Sequence, residues 1–213
     1  MSDSQVVPVV TQVHLPPGIL GPDPVTFDIR CFVVADSSGV VLIDTCAPGS
    51  AAAIGTALAQ AGASWSDVSD IVLTHRHFDH TGGLAEAAGL ASNANIWAGA
   101  QDATDITLDG RREVRAIAEG DRVHNLGVLD TPGHTAGHIS LLDEASGVVF
   151  IGDLIGSSDG HLEFGPPGFT ADPDSNRRSL RRVVDLAPQR LLFSHGDEIV
   201  DPNDAIRQLL DQI

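Results

Sequence analysis

One short segment restricts the possible folds of this chain more than any other feature of its sequence. It runs from Thr74 to His80, reads THRHFDH, and follows the apolar run 70–73, which predicts a buried strand. The imidazoles of His75 and His77 lie two residues apart, so they point to the same side and can share one cation. Asp79 and His80 follow the bend and can face a second cation. This clustering is hard to explain by packing, and it predicts a metal site.

The four ligands of this segment cannot complete two coordination shells, so other strand ends must supply more. Three candidates, each directly after a predicted strand, are His134, Asp153 and His195. Sites carried on a rigid sheet usually occupy such positions, where a strand passes into a loop. The predicted metal ligands are therefore His75, His77, Asp79, His80, His134, Asp153 and His195.

The rest of the pattern predicts strands interspersed with helices. Apolar and β-branched runs predict strands at 6–13, 27–35, 40–45, 70–73, 95–98, 128–131, 139–143, 148–151 and 190–193, with a hairpin turn at 36–39. Helical patterns occupy 49–61, 83–90, 175–187 and 202–212. Strand runs with helices outside them indicate an α/β (α+β) fold with a two-sheet core. A length of 213 residues with 42% hydrophobic composition suits one domain, 1–213.

The order of these ligands, HxHxDH followed by His, Asp and His, resembles the pattern of the metallo-β-lactamase superfamily over nearly the whole chain. The resemblance implies a four-layered αβ/βα sandwich, in which two mixed β-sheets are flanked by helices. It also implies that Asp153 bridges two metals and that Asp79 orients the nucleophile and accepts its proton. By the same resemblance, the first metal would be held by His75, His77 and His134, and the second by Asp79, His80 and His195.

The predicted function is hydrolysis of a carbonyl ester, thioester or lactone by a metal-bound hydroxide. Water between two divalent cations is acidified towards neutral pH, and one cation polarises the carbonyl. Zinc is the expected metal, although mixed imidazole and carboxylate ligands also accept iron or manganese. A bridging carboxylate at Asp153 is similar to the sites of the glyoxalase II and lactonase branch of the superfamily. The length of the chain and its lack of Lys and Tyr are expected to separate it from authentic glyoxalase II.

Three alternatives stay open at this point. A β-lactam hydrolase is the first, although a bridging carboxylate is generally missing from true β-lactamases and many of them use a Lys that this chain lacks. The second is an oxidoreductase similar to persulfide dioxygenases, with one iron on His75, His134 and Asp153. The third is a non-catalytic metal-binding module.

Two further residues have weaker signals. Asp44, at the end of a predicted strand, matches a common family position; a hydrogen bond to a ligand imidazole and a simple turn or capping role are both compatible with it. His138, four residues after His134, resembles the GHTxGH segment of the family. We expect it to support the site by hydrogen bonding rather than to bind metal.

Composition excludes some partners. The net charge is −17, with 29 acidic residues against 12 arginines, so the chain is not expected to bind nucleic acid, and a small acyl substrate is favoured. The N-terminus lacks the basic and apolar regions of a signal peptide, and no apolar run is long enough to span a bilayer. A soluble cytoplasmic protein without a membrane partner is the expectation.

Overall fold

The computed structural model describes residues 4–108, 112–158, 160–198 and 202–211. Within these residues the first sheet consists of six strands, β1 (Gln5–Leu15), β2 (Val25–Asp36), β3 (Gly39–Ile43), β4 (Val68–Leu73), β5 (Asn95–Gly99) and β6 (Arg115–Ile117). They lie side by side in chain order. β1, β2 and β3 pair antiparallel, whereas β3 to β6 pair in parallel, so the sheet is mixed.

Helices α1 (Ala51–Gln60) and α3 (Leu84–Leu90) cover the outer face of this sheet. The short helices α2 (Phe78–Thr81) and α4 (Ala100–Ala103) follow the ends of β4 and β5. Leu58 of α1 and Leu84 of α3 pack with Leu42 of β3 and Ile71 of β4 in one buried cluster. Each such side chain contributes about 1.5–3 kcal/mol when it leaves water, so this cluster fixes the helices on the sheet.

The second sheet contains, within the described ranges, β7 (Arg122–Val123), β8 (Leu126–Asp130), β9 (Ile139–Asp143), β10 (Val148–Gly152) and β13 (Arg190–Phe193). Its strand order is β13-β10-β9-β8-β7, with β13 parallel to β10 and the other pairs antiparallel. A separate hairpin joins β11 (Gly156–Ser158) to β12 (His161–Glu163). The outer face of the sheet packs against α5 (Pro173–Asp185) and α6 (Pro202–Asp211).

The two sheets pack face to face, and strand alternation shows the layering directly. In β3, Leu42 faces the helices, whereas Val41 faces the second sheet. In β10, Phe150 faces the first sheet and meets the ring of Phe32 edge-on at 5.2 Å, whereas Val149 faces α5. Strands buried on both faces read as continuous apolar runs. The predicted four-layered αβ/βα sandwich with two mixed sheets is confirmed.

The structure differs from the sequence prediction mainly in short elements. The stretch 99–127, for which the sequence pattern predicted no strand or helix, contains α4, β6 and β7, and the stretch from Gly156 contains the β11–β12 hairpin. Strands of two or three residues are too short for a periodic pattern, and their neighbours in the sheet determine them. The predicted helix 202–212 is observed to Asp211, and its last residue lies outside the described residues. Among the described helices, none is both long and apolar enough to cross a membrane.

Backbone hydrogen bonds join the two sheets at one edge. The N–H of Ile139, at the start of β9, donates to the carbonyl of Thr74 after β4 at 2.9 Å, and the N–H of Arg30 in β2 donates to the carbonyl of Ser194 after β13 at 2.9 Å. The end of β4 is thereby held beside β9, and the end of β13 beside β2. This edge carries the predicted ligands.

Candidate metal centre

The segment from His75 to His80 leaves β4 and turns into α2 at His77. A close approach fixes this turn, because a Cβ atom on Gly83 would lie 2.3 Å from the carbonyl oxygen of Thr45. Only glycine fits there. The N–H of Thr45 also donates to the carbonyl of His80 at 2.9 Å. The loop after β3 therefore sets the position of α2 and of the side chains on it.

One ligand group, here called the three-histidine group, consists of His75, His77 and His134. One ring nitrogen of each lies within 4.8 Å of the others. Nδ1 of His77 and Nε2 of His134 are 2.9 Å apart, and the ring of His75 meets both other rings edge-on at 4.7 Å. Three imidazoles that converge in this way form a suitable cation site.

A second ligand group, here called the mixed group, consists of Asp79, His80, Asp153 and His195, whose ligand atoms also lie within 4.8 Å of one another. Nε2 of His195 is 3.3 Å from Oδ2 of Asp79 and 3.3 Å from Oδ2 of Asp153. Nε2 of His80 is 3.2 Å from Oδ1 of Asp153. Carboxylates thus alternate with imidazoles around one point.

Asp153 adjoins both groups. Its Oδ2 atom lies 3.4 Å from Nε2 of His134 and 3.9 Å from Nε2 of His75 in the three-histidine group, in addition to its contacts in the mixed group. The structure therefore brings together all seven residues that the sequence pattern predicted, with Asp153 between the two groups. Their role as ligands stays a prediction for metal-binding measurements.

Unsatisfied polar atoms test whether metals fit this site. Nε2 of His75, Nε2 of His80 and Oδ1 of Asp153 are buried and have no hydrogen-bond partner within the described part of the chain. Buried polar atoms without a partner are rare because they are costly, by about 1–3 kcal/mol each. All three atoms belong to residues of the two ligand groups, and cations held by these groups would satisfy them. The donor set of imidazoles and carboxylates suits zinc, iron or manganese.

The opposite ring nitrogens of three histidines are held by neighbouring groups. Nδ1 of His80 lies 2.8 Å from Oδ2 of Asp44, which places Asp44 in the role of orienting a candidate ligand. Nδ1 of His195 lies 3.1 Å from the carbonyl oxygen of Asp28, and Nδ1 of His134 lies 3.3 Å from the hydroxyl of Thr170. Contacts of this kind fix both the tautomer and the orientation of a metal-binding imidazole.

His138 supports the site in the way its position in the sequence suggested. The backbone N–H of Asp153 donates to its Nε2 atom at 3.2 Å, and its Nδ1 atom lies 2.9 Å from the hydroxyl of Thr131. Burial lowers the pKa of His138 to about 3, so the ring is neutral and Nε2 can accept. A Cβ atom on Gly152 would lie 2.7 Å from this nitrogen, so glycine is needed there.

The two groups differ in their electrostatics. Burial lowers the pKa of His75 well below its ordinary value and that of His134 to about 4. In the mixed group burial acts in the same direction, but the charges and hydrogen bonds of the neighbouring carboxylates together outweigh it: Asp153 and Asp44 act on His80, and Asp153 and Asp79 act on His195. The pKa of His80 is therefore raised well above 6.5, and that of His195 is raised to about 10. Burial by itself would raise the pKa of Asp153, but the charges of His195 and His80 hold it well below 3.8.

Some supporting residues had no sequence signal. Asp102 in α4 accepts hydrogen bonds from both the His75–His77 loop and the loop after His134, yet it belongs to a stretch for which the sequence pattern predicted no strand or helix. Thr170 is one of many polar residues in its segment, and the contribution of Asp28 is a backbone carbonyl. A backbone carbonyl has no residue-type signature.

A mixed two-sheet sandwich with adjoining histidine and carboxylate groups at one edge defines the class of metal-binding proteins with the metallo-β-lactamase fold. Residues 25–195 match the family model described as the metallo-beta-lactamase superfamily. The chain belongs to the metallo-β-lactamase superfamily. The predicted family and fold are thereby confirmed.

Individual relatives show the range of this family. The hydroxyacylglutathione hydrolase of Rhodospirillum rubrum is 34% identical over 84% of this chain and 69% of its own length. TTHA1623, solved in a di-iron-bound form, superposes with a TM-score of 0.66 at 26% identity, covering 92% of this chain and 96% of its own. FIM-1 of Pseudomonas aeruginosa, solved in a mono-zinc form, has a TM-score of 0.72 at 21% identity, covering 95% of this chain and 90% of its own. The last likeness shows the fold alone.

The chain is shorter than the hydroxyacylglutathione hydrolases that it matches. It spans 69% of the Rhodospirillum rubrum protein, and 61% of those from Fuscovulum blasticum and Alkalilimnicola ehrlichii.

Proposed function

We propose that this protein is a dinuclear metal-dependent hydrolase of a small ester, thioester or lactone, in the glyoxalase II-like branch of its superfamily. The observation that carries the proposal is the position of Asp153. Its carboxylate lies within 3.4 Å of histidines from both the three-histidine group and the mixed group. A carboxylate placed between two groups in this way can bind both of a pair of adjacent cations.

The three-histidine group would hold one cation, and the mixed group would hold the second, with Asp153 common to both. Zinc is the metal we propose, because tetrahedral sites of imidazoles and carboxylates suit it. When bound, two such cations supply an acidified water and polarise the carbonyl group of the substrate.

Asp79 is the residue we propose to hold the proton that the reaction releases. Its side chain is 19% exposed, and its Oδ2 atom lies 3.3 Å from Nε2 of His195. Burial by itself would raise the pKa of Asp79, but the hydrogen bond from His195 and the charge of His80 lower it below 3.8. The carboxylate is therefore ionised at neutral pH and partly open to solvent, so it can orient a water and pass its proton outward.

The choice of substrate class has three supports. A bridging carboxylate at position 153 resembles the glyoxalase II and lactonase side of the superfamily, and several relatives at about one third identity are named hydroxyacylglutathione hydrolases. The activity of those longer proteins is transferred here only as part of the proposal. The charge of −17 further favours a small substrate over a polyanion.

The test measures turnover of zinc-reconstituted protein on a thioester, a lactone and a β-lactam, each with and without a chelator. We expect turnover of the thioester or the lactone that is lost on chelation and restored by zinc. His14→Ala is a matched histidine control, because His14 lies in β1 and contacts Thr26 rather than the metal centre. It should retain full turnover.

Each other outcome has a definite meaning. Preference for the β-lactam would contradict the branch assignment. Metal binding without turnover of any substrate would contradict the proposal of a hydrolase of these three classes.

A further inference from the structure

Asp102 is a fully buried carboxylate in α4, with 0% of its surface exposed, and it is not one of the seven candidate ligands. It accepts hydrogen bonds from the backbone N–H and the guanidinium of Arg76 at 2.9 and 3.0 Å. It also accepts from the hydroxyl of Thr135 at 2.6 Å and the backbone N–H of Gly137 at 2.9 Å. A buried carboxylate is stable only when it is paired in this way.

These donors belong to two loops, and both loops carry the three-histidine group. Arg76 lies between the two histidines of the first loop, whereas Thr135 and Gly137 follow His134 in the second. The two loops are distant in sequence, and the carboxylate of Asp102 joins them directly. The 2.9 Å separation of Nδ1 of His77 from Nε2 of His134 spans the same two loops.

Close backbone packing points to the same junction independently. A Cβ atom on Gly137 would lie 2.3 Å from the backbone nitrogen of Asp102, and one on Gly99 would lie 2.0 Å from the carbonyl oxygen of Gly137. Both obstacles are backbone atoms that cannot move aside. The two glycines therefore let α4 approach the loop closely enough for Asp102 to reach both sides.

We propose that Asp102 is a positioning residue that sets the spacing of His77 and His134 and so tunes the metal affinity of the three-histidine group. The inference rests on the proposed function, because it presumes that this group binds a cation. Asp102 acts through the two loops, because the hydrogen bonds that it accepts come from Arg76, Thr135 and Gly137 rather than from a ligand ring. Its effect should therefore fall on one group and spare the other.

Zinc affinity is measured by competition with a chelator in full-length protein, in two backgrounds. His195→Ala disables the mixed group and leaves the three-histidine group, whereas His77→Ala does the reverse. We expect Asp102→Asn to weaken zinc binding about tenfold in the His195→Ala background and by less than about twofold in the His77→Ala background. A purely structural role would not produce this difference.

Asp143→Asn is the matched control, because Asp143 is a buried aspartate of β9 whose Oδ1 accepts from the N–H of Ala145, away from both loops. It should leave zinc affinity unchanged in both backgrounds. Thr135→Val removes one donor to Asp102 and should weaken the same group by a smaller factor, which keeps the test possible if Asp102→Asn does not fold. Equal losses in both backgrounds, or no loss, would overturn the inference. Wild-type protein that binds no zinc would overturn the proposed function as well.

Discussion

The three-histidine group and the mixed group lie side by side but use opposite electrostatics. In the first, burial lowers the pKa of His75 and His134, so the imidazoles are neutral at physiological pH. In the second, burial also acts against the protonated rings, but Asp153 and the other carboxylates beside them raise the pKa of His80 and His195, so both rings carry protons. The side chain of His195 is also 29% exposed, whereas that of His134 is 4% exposed.

This difference separates two tasks. A buried neutral group is ready for a cation without rearrangement of protons, and it suits a permanently held metal. The mixed group must release protons before it can bind a cation, and it opens to solvent through His195 and Asp79. Substrate and released protons would therefore use the side of the mixed group, with Asp153 connecting the two. Four predictions test this comparison, from the largest expected effect to the smallest.

Asp153→Ala should have the largest effect, because it removes the carboxylate that both groups share. We expect turnover on the accepted substrate to fall by about 10³-fold or more and bound zinc to fall below two equivalents, while the fold is retained. Steady-state kinetics, metal analysis and circular dichroism measure the three quantities. Asp204→Ala, an exposed change on α6, is the control and should behave like wild type. Normal turnover of Asp153→Ala would contradict the assignment of Asp153 as a carboxylate shared by the two groups.

His134→Ala and His195→Ala should separate the two groups. Each variant is expected to lose one equivalent of zinc and about 10²-fold in turnover, because either cation alone supplies only part of the charge stabilisation. The remaining equivalent of zinc should bind without proton release in His195→Ala, because the three-histidine group is neutral. In His134→Ala it should bind with proton release from the mixed group. Metal analysis and the change of pH in weakly buffered solution distinguish them. Loss of both equivalents of zinc in each variant would show instead that the two groups bind metal only together.

The sequence predicted the candidate ligands better than it predicted the residues that hold them in place by hydrogen bonds. Histidines and aspartates that follow strands are recognisable as residue types, so the sequence pattern predicts all seven residues that the structure brings together. The signal for Asp44 left two roles open, and its 2.8 Å contact with His80 is a tertiary fact. The role of Asp102 could not be predicted from the sequence. The groups that donate hydrogen bonds to it lie in two loops that only the fold brings together.

The layers of the fold were predictable for a similar reason. Runs such as β3 and β10 are long enough to show that both faces are buried, which indicates sheets between other layers. β6 and β7 are two or three residues long, and they form because β5 and β8 offer free edges. That information is in the neighbouring strand rather than in the segment itself.

The pH dependence of zinc affinity should sharpen the comparison. Because the pKa of His195 is about 10 in the metal-free protein, a cation must displace its proton, and rising pH favours binding. In the His77→Ala background, affinity should rise at least about tenfold per pH unit, or at least about a hundredfold from pH 6.5 to 8.5, because His195 releases one proton and His80 can release a second. In the His195→Ala background the neutral three-histidine group should change little over that range. Parallel pH profiles in the two backgrounds would contradict the electrostatic difference.

Asp44→Asn should have the smallest effect and should be confined to the mixed group. The Oδ2 atom of Asp44 lies 2.8 Å from Nδ1 of His80, and an amide there would present a donor to a ring nitrogen that is itself a donor when Nε2 binds metal. We expect zinc affinity to fall about tenfold in the His77→Ala background and to stay unchanged in the His195→Ala background. Thr74→Val, which removes a donor to the same carboxylate oxygen, should have a smaller effect in the same direction. Asp44 and Asp102 are both buried aspartates, but Asp44 contacts the mixed group and Asp102 contacts the loops of the three-histidine group. If Asp44→Asn weakens only the mixed group and Asp102→Asn weakens only the three-histidine group, each group has its own supporting residue. Equal losses at both groups would show instead that Asp44 stabilises the whole edge of the sheet.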